Sequence, residues 1–104
     1  MANKSYNKGV RLERKLKKEL EADGCTVLRT AGSHGFADLV SAHLWEPVVF
    51  IQVKVASTSA RAKSLLKEWI PALAESTWGT MGAYTQCLYV WDEEAGKWRI
   101  RESK

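Results

Sequence analysis

The most restrictive feature of the chain is the run VVFIQVKV, residues 48–55, which has the apolar character of a buried β-strand but contains Gln52 and Lys54. Side chains two residues apart in a strand point to the same face of a sheet, so these two polar residues share a face. Because burying an unpaired ammonium costs roughly several kcal/mol or more, we expect opposite charges beside Lys54. The other face is apolar along its whole length and comprises Val49, Ile51, Val53 and Val55.

The remaining sequence predicts six further elements around this strand. A first helix over about 6–23 repeats Leu12, Leu16 and Leu20 on one stripe and ends at Gly24, a favourable residue just after a helix. The other predicted elements are strands at 25–30 and 36–43, a second helix at 57–77 that Pro71 kinks or divides, and strands at 84–91 and 97–101.

These elements specify an α/β fold with a mixed central sheet of about five strands flanked by helices. The short connections between the first three strands favour an antiparallel meander. The helix between the third and fourth strands favours a parallel crossover. The element order is therefore α-β-β-β-α-β-β, and the length of 104 residues suits one domain over 1–104.

The composition limits the classes of protein to which the chain can belong. It has no run of about 18 apolar residues, so no membrane span is expected. The first ten residues, MANKSYNKGV, lack the apolar segment of a secretory signal, and we expect a cytoplasmic protein. Cys25 and Cys87 lie in strand-like runs without metal-ligand spacing and are expected to be reduced core thiols. The formal charge of +4 favours an anionic partner.

Three predicted elements each carry polar residues on a face that otherwise resembles a core. Glu13 lies within the apolar arc of the first helix, and Asp38 lies in the apolar row of the second strand. Together with Gln52 they supply hard oxygen ligands of the kind that Mg²⁺ prefers. A metal and a neighbouring lysine, Lys54, suit phosphodiester hydrolysis, because both stabilise negative charge on the phosphate. The alternative is an ion pair between Asp38 and Lys54 that only fixes the strand register.

The segments KGVRLERKLKKELEADG, VLRTAGSHGFADLV and VVFIQVKV, in this order, resemble the archaeal-type Holliday junction resolvases of the PD-(D/E)XK nuclease superfamily. The resemblance is close over about residues 1–55 and looser beyond them. It implies a restriction-endonuclease-like fold and a homodimeric endodeoxyribonuclease that resolves four-way DNA junctions by paired symmetric incisions. It also implies Mg²⁺, or Mn²⁺ in its place, in each subunit, and a prokaryotic or viral protein that works in the cytoplasm without a membrane.

The resemblance assigns catalytic roles residue by residue. Glu13 falls on the family's glutamate of the first helix, Asp38 on its metal-binding aspartate and Lys54 on its catalytic lysine. Ser33 falls on the serine of the A-G-S turn and joins the predicted catalytic residues together with Gln52. The predicted metal ligands are Glu13, Asp38, Gln52 and the backbone carbonyl of Val53.

The predicted DNA surface combines two basic clusters with the A-G-S turn. The resemblance associates Arg14 and Arg29 with DNA contact or activity, and His34 lies in the turn. Binding is expected to be electrostatic and spread over many residues. The predicted contacts are Lys8, Arg11, Arg14, Lys15, Lys18, Arg29, Ser33, His34, Arg61 and Lys63.

A homodimer is expected because a symmetric junction needs two cuts on strands related by a two-fold axis. The second helix has more apolar residues than one buried face needs. The predicted interface residues are Leu65, Leu66, Trp69, Ile70, Leu73, Trp78 and Trp91.

Two residues depart from the family pattern. Ala37 stands where the superfamily has proline, which is a mild change. Gln52 stands where the resolvases usually have glutamate; its carbonyl can ligate a metal, but the lost negative charge weakens binding. Three alternatives therefore stay open: a junction- or branched-DNA-binding protein with weakened or lost catalysis, a nuclease of the same fold that acts on other branched DNA, and a scaffold protein with a structural ion pair.

Overall fold

The computed structural model describes residues 4–30, 37–71 and 84–103, which form a five-stranded sheet with a helix on each face. The elements in chain order are α1 (Lys4–Ala22), β1 (Thr26–Arg29), β2 (Leu39–Ala42), β3 (Val48–Ala56), α2 (Ser59–Glu68), β4 (Tyr84–Asp92) and β5 (Lys97–Glu102).

The strands lie side by side in the order β1-β2-β3-β4-β5. β1, β2 and β3 form an antiparallel meander, β4 runs parallel to β3 after the crossover through α2, and β5 returns antiparallel to β4. The predicted α/β class, element order and parallel crossover are therefore confirmed.

α2 is shorter than the predicted helix over 57–77. It begins after Thr58, whose hydroxyl accepts a hydrogen bond of 3.1 Å from a backbone N–H of the first turn, as expected of an N-cap threonine. It ends at Glu68 because Pro71 lacks an N–H and would clash with the carbonyl four residues earlier. Trp69 has extended backbone angles, with φ −63° and ψ 132°. The part of the predicted helix after Pro71 lies outside the described residues.

The two helices pack on opposite faces of the sheet, and strand alternation decides which residues each helix covers. α1 covers the face that contains Ile51, here called the α1 face; its core cluster is Leu16, Val27, Leu39, Ile51 and Cys87. α2 covers the other face, here called the α2 face; its core cluster is Ala56, Ala62, Trp69, Leu88 and Val90.

Lys54 lies on the α2 face but is exposed. It shares this face with Ala56 because the two residues are two positions apart in β3. Water therefore hydrates its ammonium, and the charge requires no buried partner. The expectation of a buried Lys54 that needs opposite charges beside it is thus wrong.

Both cysteines are free thiols. Cys87 is buried in the core of the α1 face, and Cys25 packs against the same cluster while partly exposed. Burial raises the pKa of the Cys87 thiol to about 11, with a smaller contribution from the charge of Glu102. The nucleophilic thiolate is consequently scarce at neutral pH, and Cys87 acts as a core residue.

Asp92 closes the connection between β4 and β5 from a fully buried position. Arg99 Nε donates to its Oδ2 at 2.8 Å, and the backbone N–H of Ala95 donates to its Oδ1 at 3.0 Å. The hydrogen bond from Arg99 is the main cause that lowers the pKa of Asp92 to about 2, although burial opposes this shift. The carboxylate is therefore ionised at neutral pH and binds both sides of the turn.

We predict that Asp92 makes the stability of the fold sensitive to acid. Its pKa of about 2 in the folded chain lies below the value of about 3.9 in an unfolded chain, so its contribution to the free energy of unfolding is complete above about pH 4 and is lost as the pH falls toward 2. Asp92→Asn should lower the free energy of unfolding at neutral pH and flatten its dependence on pH between 4 and 2. Urea unfolding across this range is the measurement.

The matched control is Glu46→Gln, which neutralises an exposed carboxylate in the turn between β2 and β3. This variant should retain the acid dependence of the unmodified chain. An Asp92→Asn variant with the same acid dependence would contradict the prediction.

Candidate active site

Asp38 lies immediately before β2 and is held against β3 by two hydrogen bonds. Its backbone N–H donates to the Ile51 carbonyl at 2.8 Å, and its Oδ2 accepts from the backbone N–H of Val53 at 2.8 Å. The paired residues of β2 and β3 end at Leu39 and Ile51, and the Asp38 N–H binds the Ile51 carbonyl one position off that register. Leu39 packs on the α1 face, so alternation along the chain directs the preceding side chain, that of Asp38, to the α2 face. The side chains of Asp38, Gln52 and Lys54 therefore lie together on the α2 face.

The backbone carbonyl of Val53 points to the same side of β3 as the Asp38 carboxylate. In an antiparallel pair, the N–H and C=O of one residue point to the same neighbouring strand. The Val53 N–H is directed at Asp38 Oδ2, so the Val53 carbonyl also points toward the start of β2. Carboxylate, amide and backbone oxygens thus come from two adjacent strands.

The Gln52 side chain is half-buried and is bound by the residue that follows α2. Trp69 Nε1 donates a hydrogen bond to Gln52 Oε1 at 2.8 Å. The sequence pattern predicts only a packing or dimer-interface role for Trp69 and does not indicate this bond. No local pattern indicates it, because the two residues lie 17 positions apart on different elements and meet only when α2 packs on the sheet.

Glu13 belongs to α1 and approaches from the other face of the sheet. Its Oε1 accepts a hydrogen bond from Arg29 Nε at 2.9 Å, and the two side chains are 16% and 24% exposed respectively. Arg29 pairs with Leu39 in the sheet, next to Asp38, so Glu13 lies at the same end of the sheet as Asp38. The structure therefore gives Glu13 an arginine partner, which the sequence analysis did not predict.

The candidate site contains oxygen atoms of the chemical type that binds a hard divalent cation. Mg²⁺ is usually bound by one or two carboxylates and keeps several waters. Asp38 and Glu13 are carboxylates, whereas Gln52 and Val53 contribute neutral oxygens. Among the residues that the structure describes, no three His, Cys, Asp or Glu side chains form a group that could hold a metal. A cation at this site would therefore depend on few negative charges and on well-oriented neutral oxygens.

Thr30, directly after β1, binds the two residues that precede β2. Its hydroxyl donates to the Ala37 carbonyl at 2.6 Å, and its backbone N–H donates to the Asp38 carbonyl at 3.0 Å. Alanine and proline both have this carbonyl, so Ala37 in place of the superfamily's proline leaves the contact intact. Ser33 and His34, which the sequence analysis places in the A-G-S turn, lie outside the described residues.

The basic residues of α1 line an open groove of about 920 Å³. Five of its seven lining residues are cationic, which favours a polyanion. The lining residues are Val10, Arg11, Arg14, Lys15, Lys18, Glu19 and Arg29.

Among the described residues, the other predicted DNA contacts, Lys8, Arg61 and Lys63, do not line this groove. Lys8 forms a salt bridge of 2.9 Å with Glu93. Arg61 and Lys63 are exposed on α2, across the sheet from α1. The two predicted basic clusters therefore lie on opposite sides of the sheet, which the sequence alone does not indicate.

The family model of the archaeal Holliday junction resolvases (Hjc) matches residues 4–75, which include Asp38, Gln52 and Lys54. The chain belongs to this family. The predicted family membership is therefore confirmed. A similar solved structure is Hjc of Archaeoglobus fulgidus, described as a Holliday junction resolvase from an archaeal hyperthermophile. It is 24% identical in sequence, with a TM-score of 0.52 and coverage of 89% of this chain and 70% of that chain, which supports the shared fold.

No curated protein matches the chain. Membership of the Hjc family identifies the chain as a nuclease that binds branched DNA. Within the described ranges, neither helix combines the length and the apolar character that crossing a membrane would require.

We predict that the groove on α1 contributes more to DNA binding than the basic residues of α2. Replacing Arg14 and Lys18 together by glutamine should remove two phosphate contacts and reduce the slope of log affinity against log salt by about 1.8, at about 0.9 per phosphate neutralised. Fluorescence anisotropy of a labelled four-way junction at several salt concentrations is the measurement.

The matched control replaces Arg61 and Lys63 by glutamine, which removes the same charge on the other side of the sheet. Its slope should change by less than about 0.9, the effect of one phosphate contact. A larger reduction in this control than in the α1 variant would place the DNA along α2 instead.

Proposed function

We propose that the chain is a Mg²⁺-dependent endodeoxyribonuclease that resolves four-way DNA junctions by paired symmetric incisions. The observation that carries this proposal is the hydrogen bond from Val53 to the Asp38 carboxylate. It holds the Asp38 carboxylate at the residue of β3 that lies between Gln52 and Lys54, within the range matched by the Hjc family. Family membership supports DNA junctions as the substrate, and the oxygen donors of the site support a hard cation as the cofactor.

Asp38, Gln52 and the Val53 carbonyl would hold the cation, and Glu13 would add a carboxylate from α1. When bound, Mg²⁺ neutralises charge that develops on the scissile phosphate and activates a water as the nucleophile. Lys54 is exposed on the same face and would provide a positive group for the anionic transition state.

The Glu13–Arg29 pair connects the proposed metal site with the DNA-binding groove. Arg29 lines the groove, and Glu13 binds it from the neighbouring turn of α1. A phosphate backbone in the groove would therefore run toward the end of the sheet that carries Asp38. Neutralisation of phosphates along this path would supply affinity without sequence preference.

The proposed resolvase acts as a C₂ homodimer, because two identical subunits supply two sites with the symmetry of the junction. Ile70, directly after buried Trp69, is 84% exposed and is available for an apolar contact with a second copy. Trp91 lies on the α1 face with its ring centroid 5.1 Å from that of Trp98, so it cannot extend the surface around α2 as predicted. Leu65 and Leu66 are partly buried against the core cluster of the α2 face. The last two predicted interface residues, Leu73 and Trp78, lie outside the described residues.

A second candidate function is binding of junction or branched DNA with weakened or lost catalysis. The observation that favours it is the neutral Gln52, whose oxygen already accepts a hydrogen bond from Trp69. A cation then has one negative charge fewer than in a site with glutamate at this position. Cleavage assays with Gln52→Glu separate the two candidates: junction binding without cleavage by the unmodified chain, with cleavage restored by Gln52→Glu, would establish the second.

We expect Lys54→Ala to reduce the single-turnover rate of junction cleavage by about 100-fold or more, as loss of a transition-state donor does. Junction affinity should change less than about threefold, because one charge contributes little to a binding energy spread over many phosphates. Cleavage by the unmodified chain should require added Mg²⁺ or Mn²⁺ and should be faster on a four-way junction than on a linear duplex.

Lys63→Ala is the matched control, since it removes an exposed lysine from α2 and should leave the cleavage rate nearly unchanged. Equal losses of affinity and cleavage in Lys54→Ala would make Lys54 a binding residue. Cleavage that persists in a chelator would contradict the metal dependence.

We predict that the DNA-free chain has twice the mass of one subunit in multi-angle light scattering. Ile70→Glu should shift it to the monomer, because a carboxylate in an apolar interface loses its hydration without a partner. Ile100→Glu changes an exposed isoleucine on the α1 face and should remain dimeric. A monomeric unmodified chain would contradict the proposed dimer, and dissociation by Ile100→Glu alone would move the interface to β5.

A further inference from the structure

Trp69 connects α2 to the proposed active site through one hydrogen bond, from its Nε1 to Gln52 Oε1 at 2.8 Å. An indole N–H is only a donor, so the amide atom that faces it must be the oxygen and not the nitrogen. The contact therefore selects one of the two orientations of the Gln52 amide that differ by a half-turn about its last side-chain bond.

This orientation matters for a glutamine in a way that it does not for a glutamate. A carboxylate presents an oxygen in either orientation, whereas a reversed amide presents an NH₂ group that cannot ligate a hard cation. An amide oxygen has two lone pairs, so the same atom can accept the indole hydrogen and ligate a cation. The neutral residue at position 52 thus needs a device that keeps its oxygen in place.

The indole is itself held firmly by two elements. Trp69 is 9% exposed and packs in the core cluster with Leu88 and Val90 of β4. The Arg101 guanidinium of β5 lies 5.8 Å from its ring centroid. Nη1 of the same arginine donates to the Leu66 carbonyl at 2.6 Å and to the Trp69 carbonyl at 3.3 Å, which satisfies the end of α2. A donor supported in this way can fix the orientation of its acceptor.

We propose that Trp69 is a positioning residue that holds the Gln52 amide in the single orientation in which its oxygen ligates the divalent cation. Trp69 thereby compensates for the absence of a carboxylate at position 52. This inference rests on the proposed function, because it requires a cation at Gln52. It adds a residue of α2 to the site and explains how a neutral ligand serves there.

The test is a double-mutant cycle that measures Mn²⁺ affinity by isothermal titration calorimetry on the full chain without DNA. The four proteins are the unmodified chain, Trp69→Phe, Gln52→Glu and the double variant. Trp69→Phe keeps an aromatic ring but removes the N–H. With Gln52 present it should weaken Mn²⁺ binding about tenfold, the lower end of the usual effect of residues that support a metal ligand. With Glu at position 52 it should weaken binding less than about twofold, because either carboxylate oxygen can ligate.

Trp98→Phe is the matched control. It removes another indole hydrogen bond, 2.7 Å long, from Trp98 Nε1 to Glu19 on the α1 face. Because this bond lies across the sheet from Gln52, its loss should leave the Mn²⁺ affinity unchanged in both backgrounds.

The outcomes separate the role of Trp69 from the metal site itself. An equal loss of affinity in both backgrounds, or no loss in either, would overturn the role of Trp69 while Mn²⁺ binding still supported the proposed function. No Mn²⁺ binding by the unmodified chain, with binding by Gln52→Glu, would overturn the inference and support the second candidate function. No binding by either chain would overturn the metal site as well.

A measurement on the unmodified chain makes the test independent of the stability of Trp69→Phe. In ¹⁵N–¹H spectra, the Trp69 indole resonance is identified as the one displaced by Gln52→Glu. Titration with Mg²⁺ should move this resonance together with the backbone amide of Val53 and leave the Trp98 indole in place. A stationary Trp69 indole beside a moving Val53 amide would overturn the inference without contradicting the metal site.

Discussion

The alternation of side chains along β3 is the constraint on which both the core and the candidate site depend. Ile51 packs in the core of the α1 face, whereas Gln52 and Lys54 point to the α2 face. A slip of one residue in the register would reverse both sets, because the period of a strand is two. Asp38 opposes such a slip, since its backbone N–H and its carboxylate both bind β3. The proposed metal-binding carboxylate therefore also fixes the strand register, through backbone N–H groups and not through an ion pair with Lys54.

The two helices serve the candidate site in different ways. α1 contributes charge: its basic residues line the groove, and Glu13 holds Arg29 at the end of the sheet near Asp38. α2 contributes a supported hydrogen-bond donor, because Trp69 joins its C-terminal end to Gln52. Electrostatic attraction between charged groups extends over about 8–10 Å at ordinary salt concentration. The basic groove can therefore attract DNA without close contact. A hydrogen bond acts only at contact distance, so the role of Trp69 depends on dense packing around α2.

A neutral amide in place of a carboxylate changes how the proposed metal site is built. Charge-assisted contacts are roughly twice as strong as neutral ones, so a site with Gln52 has less electrostatic attraction for a cation. Orientation then becomes more important, because an amide has one ligating atom where a carboxylate has two. Trp69, supported by Arg101, supplies that orientation. Substitutions at position 52 therefore distinguish the two candidate functions, catalysis and DNA binding without cleavage.

Local patterns in the sequence were sufficient for the element order, the parallel crossover and the shared face of Gln52 and Lys54, because strand and helix periods depend on neighbours a few residues apart. The spacing of the motifs around Glu13, Asp38 and Lys54 was sufficient for the family. Only the tertiary structure decided which face each helix covers. That choice exposes Lys54, separates the two basic clusters, and creates the Glu13–Arg29 and Trp69–Gln52 bonds. These contacts join residues 16 and 17 positions apart on different elements, and no local period encodes such a distance.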